Sequence, residues 1–333
     1  MTFKIFIKNF FKIIIACFIL FYIAIVVHSK YFAKPIDTTG RIYIMKIAPH
    51  PSLDKIEKGI EDFLADNDMR YQIVFQNAQG NPVLSQQIAQ QAVNNKAKVI
   101  IPITTLCALN AYQAAKEHKI PVVFSGVTDP KSAKLTEDGV KPNPGISGVS
   151  DFMPPQKQIN FLKQLFEGKN FKRIGTVYNI GEQNTVAQIE EFEKELNKTD
   201  FKLTKVSVHQ TQDIGPAILK IVELVDFILI FNDNLVVSSM PQILKIAKDQ
   251  NIPVVSTDPE SVELGALASL AYDQYEMGRQ TGEMVLKVLN GKKVDTLNIE
   301  IAEVLSIYFN ENVAKAFNIQ KPKTENGINI ITK

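Results

Sequence analysis

Tryptophan is absent from this chain, and cysteine occurs twice in 333 residues, as Cys17 and Cys107. Two cysteines, one of them inside an N-terminal apolar run, exclude a disulfide framework and a cysteine-ligated zinc or iron–sulfur centre. The four histidines, His28, His50, His118 and His209, are scattered without metal-ligand spacing. An excess of one charge is lacking too, since Lys+Arg 37 against Asp+Glu 35 leaves a formal net charge of +2. With no basic block, nothing points to a nucleic-acid or polyanion partner. The chain contains no GxGxxG, GxSxG, HExxH or GxxxxGK followed by Ser or Thr. Phosphate cradles, nucleophile elbows and zincin sites are therefore excluded, and no cofactor and no enzymatic activity are expected.

What is present is an ordinary globular composition, 45% apolar and 22% charged. The length suits two domains of about 130 residues each after an N-terminal extra. Lys4, Lys8 and Lys12 precede an apolar run from Ile13 to Val27. That run is shorter than the roughly 20 residues a spanning helix needs, and it matches a secretory signal. Val27-His28-Ser29 places cleavage after Ser29. The alternative is an uncleaved anchor lengthened by the apolar residues between Phe6 and Phe11. Ile14-Ile15-Ala16-Cys17 is not a lipoprotein box, because the apolar run continues beyond Cys17. Residues 1–29 are thus expected to be a signal peptide or N-terminal membrane anchor, and 30–40 a linker.

Beyond the linker, strand-like runs alternate with helix-length segments. Arg41–Ala48, Tyr71–Asn77, Val99–Thr104 and Pro121–Ser125 read as buried strands; Ser52–Leu64, Pro82–Asn94 and Leu106–His118 have helical apolar spacing. The pattern then repeats. Arg173–Tyr178, Lys202–Val208, Phe227–Phe231 and Pro253–Ser256 read as strands, with helices at Asn184–Leu196, Pro216–Leu224 and Pro241–Asp249. Such alternation implies βαβ units and a parallel sheet covered on both faces. Locally the halves are alike: Lys119-Ile120-Pro121-Val122-Val123 echoes Asn251-Ile252-Pro253-Val254-Val255, and Arg41-Ile42 echoes Arg173-Ile174. The offset, about 130 residues, is the size of one α/β lobe. The fold class is α/β, with two doubly wound parallel-sheet lobes joined by a hinge and a cleft between their strand ends.

Those strand ends are rich in hydroxyls, amides and carboxylates. The first half offers Asn77-Ala78-Gln79-Gly80, Thr104-Thr105 and Ser125-Gly126-Val127-Thr128-Asp129; the second offers Tyr178-Asn179, Asn232-Asp233-Asn234 and Ser256-Thr257-Asp258. Hydroxyls and helix-start amides suit a carboxylate, and a nearby Asp suits an ammonium group. Together they fit a zwitterion such as an amino acid. The same residue types are also the usual caps and turn formers; clustering in corresponding loops of both halves is what favours the binding role. His50 follows the first strand and has two readings, a residue at the cleft or a solvated loop histidine, and residue-type statistics favour the second. Cys107, at a helix start but with no paired base, reads as a small buried residue. Glu182 and Asp258 would make an acid/base pair only if brought together, and nothing in the sequence does that.

Several of these segments carry a resemblance. Ala48-Pro49-His50-Pro51-Ser52-Leu53-Asp54, Gln76-Asn77-Ala78-Gln79-Gly80 and Phe124-Ser125-Gly126-Val127-Thr128-Asp129-Pro130 resemble the ABC-transporter substrate-binding family of the tryptophan/tyrosine type. So do Gly148-Val149-Ser150-Asp151, Tyr178-Asn179-Ile180-Gly181-Glu182-Gln183-Asn184 and the run from Tyr272 to Gly282, and the similarity extends from Arg41 to Pro322. The resemblance implies a type I periplasmic-binding-protein fold with three crossings, near Ser147–Asp151, Ala271–Asp273 and Ala302–Ser306. Lobe 1 is then 41–148 with 273–303, lobe 2 is 149–272 with 304–322, and 323–333 is a C-terminal tail. Asp273–Leu289 becomes a helix returning to the first lobe, and Asn310–Phe317 closes against the second. The implied ligand contacts are Thr104, Thr105, Ser125, Val127 and Thr128 in the first lobe. In the second lobe they are Tyr178, Asn179, Asn184, Asp233, Asn234 and Asp258. Asp233 or Asp258 is expected to hold an ammonium group, with Thr105, Ser125 and Thr128 around the carboxylate and Tyr178 or an apolar neighbour against an aromatic side chain.

The implied function is extracytoplasmic capture of a small solute, an amino acid such as an aromatic one, by hinge closure. Delivery is to an ABC permease with a cytoplasmic ATPase. The protein is expected as a monomer, exported to the periplasm or the outer face of the cytoplasmic membrane and touching the membrane only through its N-terminal segment. The alternative is an anchored ligand-sensing domain acting through a signalling partner. An amino acid is favoured over a sugar because a chain without tryptophan lacks the residue that sugar sites often stack on.

Overall fold

The structure is a computed structural model that describes residues 37–67, 71–323 and 328–333. The expected export segment, including Ile13–Val27, lies outside those residues. The larger of the chain's two compact units spans residues 40–69 and 73–333. Among the described residues no helix is long and apolar enough to cross a membrane.

The first half runs β1 (Asp37–Lys46), α1 (Pro51–Asp66), β2 (Tyr71–Asn77), α2 (Pro82–Asn94), β3 (Val99–Ile103), α3 (Thr105–Ala115), β4 (Val122–Ser125) and β5 (Ile146–Ser150). Every residue of β3, Val-Ile-Ile-Pro-Ile, is buried, as a strand covered on both faces requires. The second half runs α4 (Pro155–Leu165), β6 (Arg173–Asn179), α5 (Gln183–Leu196), β7 (Lys202–Val208), α6 (Ile214–Val222), β8 (Phe227–Ile230), α7 (Asn234–Ser238), α8 (Met240–Asp249), β9 (Val254–Ser256), α9 (Glu260–Leu264) and β10 (Ala268–Tyr272). The chain then returns through α10 (Gln274–Leu289) and β11 (Glu300–Ile301), and closes with β12 (Leu305–Phe309), α11 (Glu311–Ala316) and β13 (Asn329–Thr332).

Two sheets result, ordered β11-β5-β4-β3-β1-β2 and β13-β12-β10-β9-β8-β6-β7. In the first, the pairs β1–β3, β3–β4, β4–β5 and β5–β11 are parallel. The internal repeat shows in backbone detail. Lys119 and Asn251, at matching places before Ile-Pro, both turn the chain in the left-handed region, at φ 56° and 54°.

The second sheet adds two features to the expected parallel-sheet lobes. In the second sheet β12 runs antiparallel to β10, with Tyr272 opposite Leu305. The chain leaves that sheet at the carboxyl end of β10, visits the first lobe, and re-enters beside its point of exit, so it must run the other way. The segment 323–333 is also more than a tail, because Ser306–Phe309 pairs in parallel with Asn329–Thr332, adding an edge strand.

Helix α1 buries Leu53, Ile56, Ile60 and Leu64, the stripe its apolar spacing dictates. It packs on α10 through two glycines where backbone meets backbone, and beyond them through the Phe63 ring against Gly282. A Cβ on Gly59 would sit 2.1 Å from the Tyr275 carbonyl oxygen, and one on Gly278 would sit 2.2 Å from that of Ile56. Only glycine permits that approach.

Candidate functional site

The carboxyl ends of both sheets open onto one cavity of about 470 Å³, counting its mouth. Its wall takes His50, Ser52, Leu53 and Ile56 from the start of α1, Thr104 and Thr105 from the β3–α3 junction, and Gly126 and Thr128 after β4. Asp151, expected in lobe 2, follows β5 of the first sheet and so stands on the first-lobe side, and Gln274 starts α10. Facing them are Asn184 at the start of α5, Asn232, Asp233, Asn234 and Val237 around α7, and Asp258 after β9.

On the first-lobe side several polar atoms are buried with no hydrogen-bond partner among the described residues. They are the Oγ1 atoms of Thr104 and Thr105, both ring nitrogens of His50, and Oδ1 of Asp151. Native interiors rarely leave such atoms unmade, and a cleft that awaits a ligand is one setting that does. Thr104 adds backbone strain. It caps α3 at φ 86°, ψ 161°, a conformation that costs a β-branched residue on the order of 1–3 kcal/mol. The first turn of α3 behind it leaves N–H groups without intrahelical acceptors, which suits an anion. Asp151 is 9% exposed; its other oxygen accepts from Asn232 Nδ2 at 2.8 Å, and burial raises its pKa.

On the second-lobe side the polar groups are occupied by the protein itself. Asp233 caps α7, accepting from the Val236 amide at 3.0 Å with one oxygen and from the Asn179 amide at 2.6 Å with the other. Glu182 accepts from the Asn234 amide, the Asn234 side chain and the Leu235 amide at 3.0, 2.8 and 3.1 Å. Burial first, and the neighbouring Asp233 charge second, push the Glu182 carboxyl up to about 8. Asp258 accepts from the Ser261 amide at 2.9 Å and its hydroxyl at 2.6 Å, and its second oxygen accepts from Ser52 across the cleft. A second bridge over the cleft joins Lys55 to Glu260 at 2.7 Å.

Seven of the sequence-derived contacts thus lie in the wall: Thr104, Thr105, Thr128, Asn184, Asp233, Asn234 and Asp258. Four do not. Ser125 is fully buried, its hydroxyl 2.8 Å from that of Thr281 on α10, and Val127 is fully buried as well. Tyr178 is still inside β6, where side chains alternate between sheet faces, so it does not reach the cavity to stack on a ligand. Asn179 turns its side-chain oxygen to the Gly181 amide at 2.9 Å. Asp233 and Asp258, expected to hold an ammonium group, each have both oxygens engaged by protein donors.

Sequence reasoning passed over Asp151, which it had only as part of a resemblance, and favoured a solvated His50. That histidine is 8% exposed and lines the cavity. The signal for both was topological, since each follows the carboxyl end of a first-sheet strand. Cys107 is buried under Ser85, its thiol pushed up to about 11 by burial, which makes it inert. Glu182 and Asp258 bond to different groups and form no acid/base pair.

Two α/β lobes of one winding, crossed three times by the chain and lined at facing strand ends with polar groups, define a type I periplasmic-binding-protein fold. Proteins of this class bind solutes rather than transform them. Within it, the chain belongs to the ABC transporter substrate binding protein family, whose profile matches residues 41–325.

The chain is 33% identical over 289 residues to a tyrosine-binding protein of Clostridioides difficile, covering 86% of this chain and 83% of that one. It superposes on a Streptococcus pneumoniae ABC domain in complex with L-Trp with a TM-score of 0.81 at 30% identity, covering 88% and 99% of the two chains. A ligand-free, open substrate-binding protein of Clostridium difficile with adhesive properties gives a TM-score of 0.66 at 33% identity, covering 88% and 99%. Identity does not account for that gap. In this chain the Ser52–Asp258 and Lys55–Glu260 contacts join the two lobes across the cleft.

Proposed function

We propose that this protein is the extracytoplasmic solute-binding component of an ABC importer, capturing an amino acid with an aromatic side chain and delivering it to a permease. The observation that carries this reading is the pair of unfilled polar ends in the first-lobe wall. Thr104 and Thr105 at the start of α3 provide for a carboxylate, and the unpaired oxygen of Asp151 provides for an ammonium group. An ammonium beside Asp151 would reverse the upward push that burial gives its pKa. The tyrosine-binding relative and the L-Trp complex favour an aromatic side chain.

Capture proceeds by closure. The lobes share one cavity, so the closed form makes contacts that an open form lacks, and the ligand shifts the balance by that difference alone. The basic and apolar N-terminal segment supports export, as a cleaved signal or an anchor, and the protein acts as a monomer.

The test is calorimetry on the full chain, unfolded and refolded to strip any carried ligand, against a panel of amino acids and sugars. Tight binding of an aromatic amino acid is expected, weakened about a hundredfold or more by Asp151→Asn. Binding of a sugar but no amino acid, from folded protein, would overturn the substrate class.

A further inference from the structure

Three acids and one imidazole are the titratable groups of the cavity wall. Asp233 and Asp258 are bonded into their own loops, and Asp151 faces the ammonium position. His50 has no such duty. It precedes Pro51 at the N-cap of α1 but makes no side-chain cap bond, and neither ring nitrogen makes a well-formed hydrogen bond among the described residues, although the Asn234 side chain of the facing lobe lies close enough to act on the ring. Burial lowers its pKa against the pull of Asp258, so the ring is neutral near pH 7, with one nitrogen donating and the other accepting.

Its place in the wall says what it faces. The carboxylate and ammonium positions belong to the ends of β3 and β5, while His50 follows β1, one strand beyond β3 and three from β5. The apolar side chains of the wall are Leu53 and Ile56, on the helix that His50 caps, and Val237 of α7. His50 therefore lies away from the β5 end of the wall, next to Leu53 of its own helix and opposite Asn234 and Asp258 of the facing lobe, where the side chain of an amino acid bound at the β3 and β5 ends would reach.

We propose that His50 is a specificity-determining residue that hydrogen-bonds a polar group on the ligand's side chain. It selects aromatic amino acids bearing a hydroxyl or ring N–H over apolar ones of similar size. The inference rests on the amino-acid reading above. A neutral imidazole serves either group, accepting from a phenol or an indole N–H, or donating to a phenol oxygen. Phenylalanine or leucine would seal the ring nitrogens from water with nothing to bond, and a site built around such a bond rejects the analogue that lacks it.

The experiment is calorimetry of the stripped full chain with L-tyrosine, L-tryptophan, L-phenylalanine and L-leucine, for the wild type, His50→Leu and His50→Gln. Tyrosine or tryptophan should bind about ten- to a hundredfold more tightly than phenylalanine. His50→Leu should collapse that ratio, leave phenylalanine within about twofold, and be partly rescued by His50→Gln. Equal wild-type affinities for tyrosine, tryptophan and phenylalanine would overturn the proposal, as would a His50→Leu variant that weakens all ligands alike. Should His50→Leu not fold, the wild-type ratio and His50→Gln decide. Failure of every amino acid to bind would instead remove the amino-acid reading, and this inference with it.

Discussion

The two walls of the cleft are built from the same residue types and hold them in opposite conditions. In the first lobe, Thr104, Thr105, His50 and Asp151 keep buried atoms without partners. In the second, Asp233, Asp258 and Glu182 spend their oxygens on backbone amides and neighbouring hydroxyls. One wall is left to be completed by what it binds. The other is already complete and serves as a shaped cover. A carboxylate in a cleft is therefore no guide to a ligand until its existing bonds have been counted.

The sharpest way to break this contrast is to remove one acid from each wall. Asp151→Asn should cost about 2–5 kcal/mol of binding energy and little stability. Asp233→Ala should do the reverse, costing about 1–2 kcal/mol of stability through the lost α7 cap while leaving affinity nearly unchanged. Calorimetry and denaturant unfolding of the two variants decide it, and equal losses of affinity would dissolve the distinction.

A second effect lies in the pH dependence of the empty protein. Glu182, held near 8 when folded, titrates near about 4.3 when unfolded. Through that window the folded chain keeps a proton that the unfolded chain has lost, so stability falls as pH rises from about 4.3 to 8, by on the order of a few kcal/mol. The buried Asp233, also raised, acts in the same direction. Thermal unfolding followed across the window should show the decline, with a shallower slope in Glu182→Gln. A midpoint that climbs with pH would contradict it.

The smallest expected effect concerns the bridge over the cleft. The Lys55 side chain is 44% exposed against 7% for Glu260, so Lys55→Ala should cost less than ~1 kcal/mol. It should appear as a modest fall in ligand affinity that salt reproduces in the wild type.

Much of the architecture was legible because buried parallel strands announce themselves. Tyr71–Asn77 and Lys202–Val208 were read with the bounds observed, and Val99–Ile103 differs by one residue. The short elements α7 and α9 and the strand β11 escaped, each being too brief to show a period. Reversal of β12 and the edge strand β13 escaped because direction depends on where the chain re-enters, which composition does not encode. For the site, residue type located the loops but could not tell Asp258, with both oxygens bonded, from Asp151, with one oxygen left over. That difference lies in hydrogen bonds between segments distant in sequence, such as Asp151 with Asn232 and Asp258 with Ser52.

The glycine contact between α1 and α10 has a mechanical consequence. With Gly59 against Tyr275 and Gly278 against Ile56, backbone meets backbone, and the two helices must travel as one rigid strut. One end of that strut carries His50, Ser52, Leu53 and Ile56 into the cavity. The other member starts at Asp273, where the chain has just crossed between lobes and where Tyr308 of β12 anchors it at 3.1 Å. Any push that a captured molecule exerts on the first wall is thus handed toward the pivot through two glycine contacts where backbone meets backbone, with the Phe63 ring packed on Gly282 one turn further on.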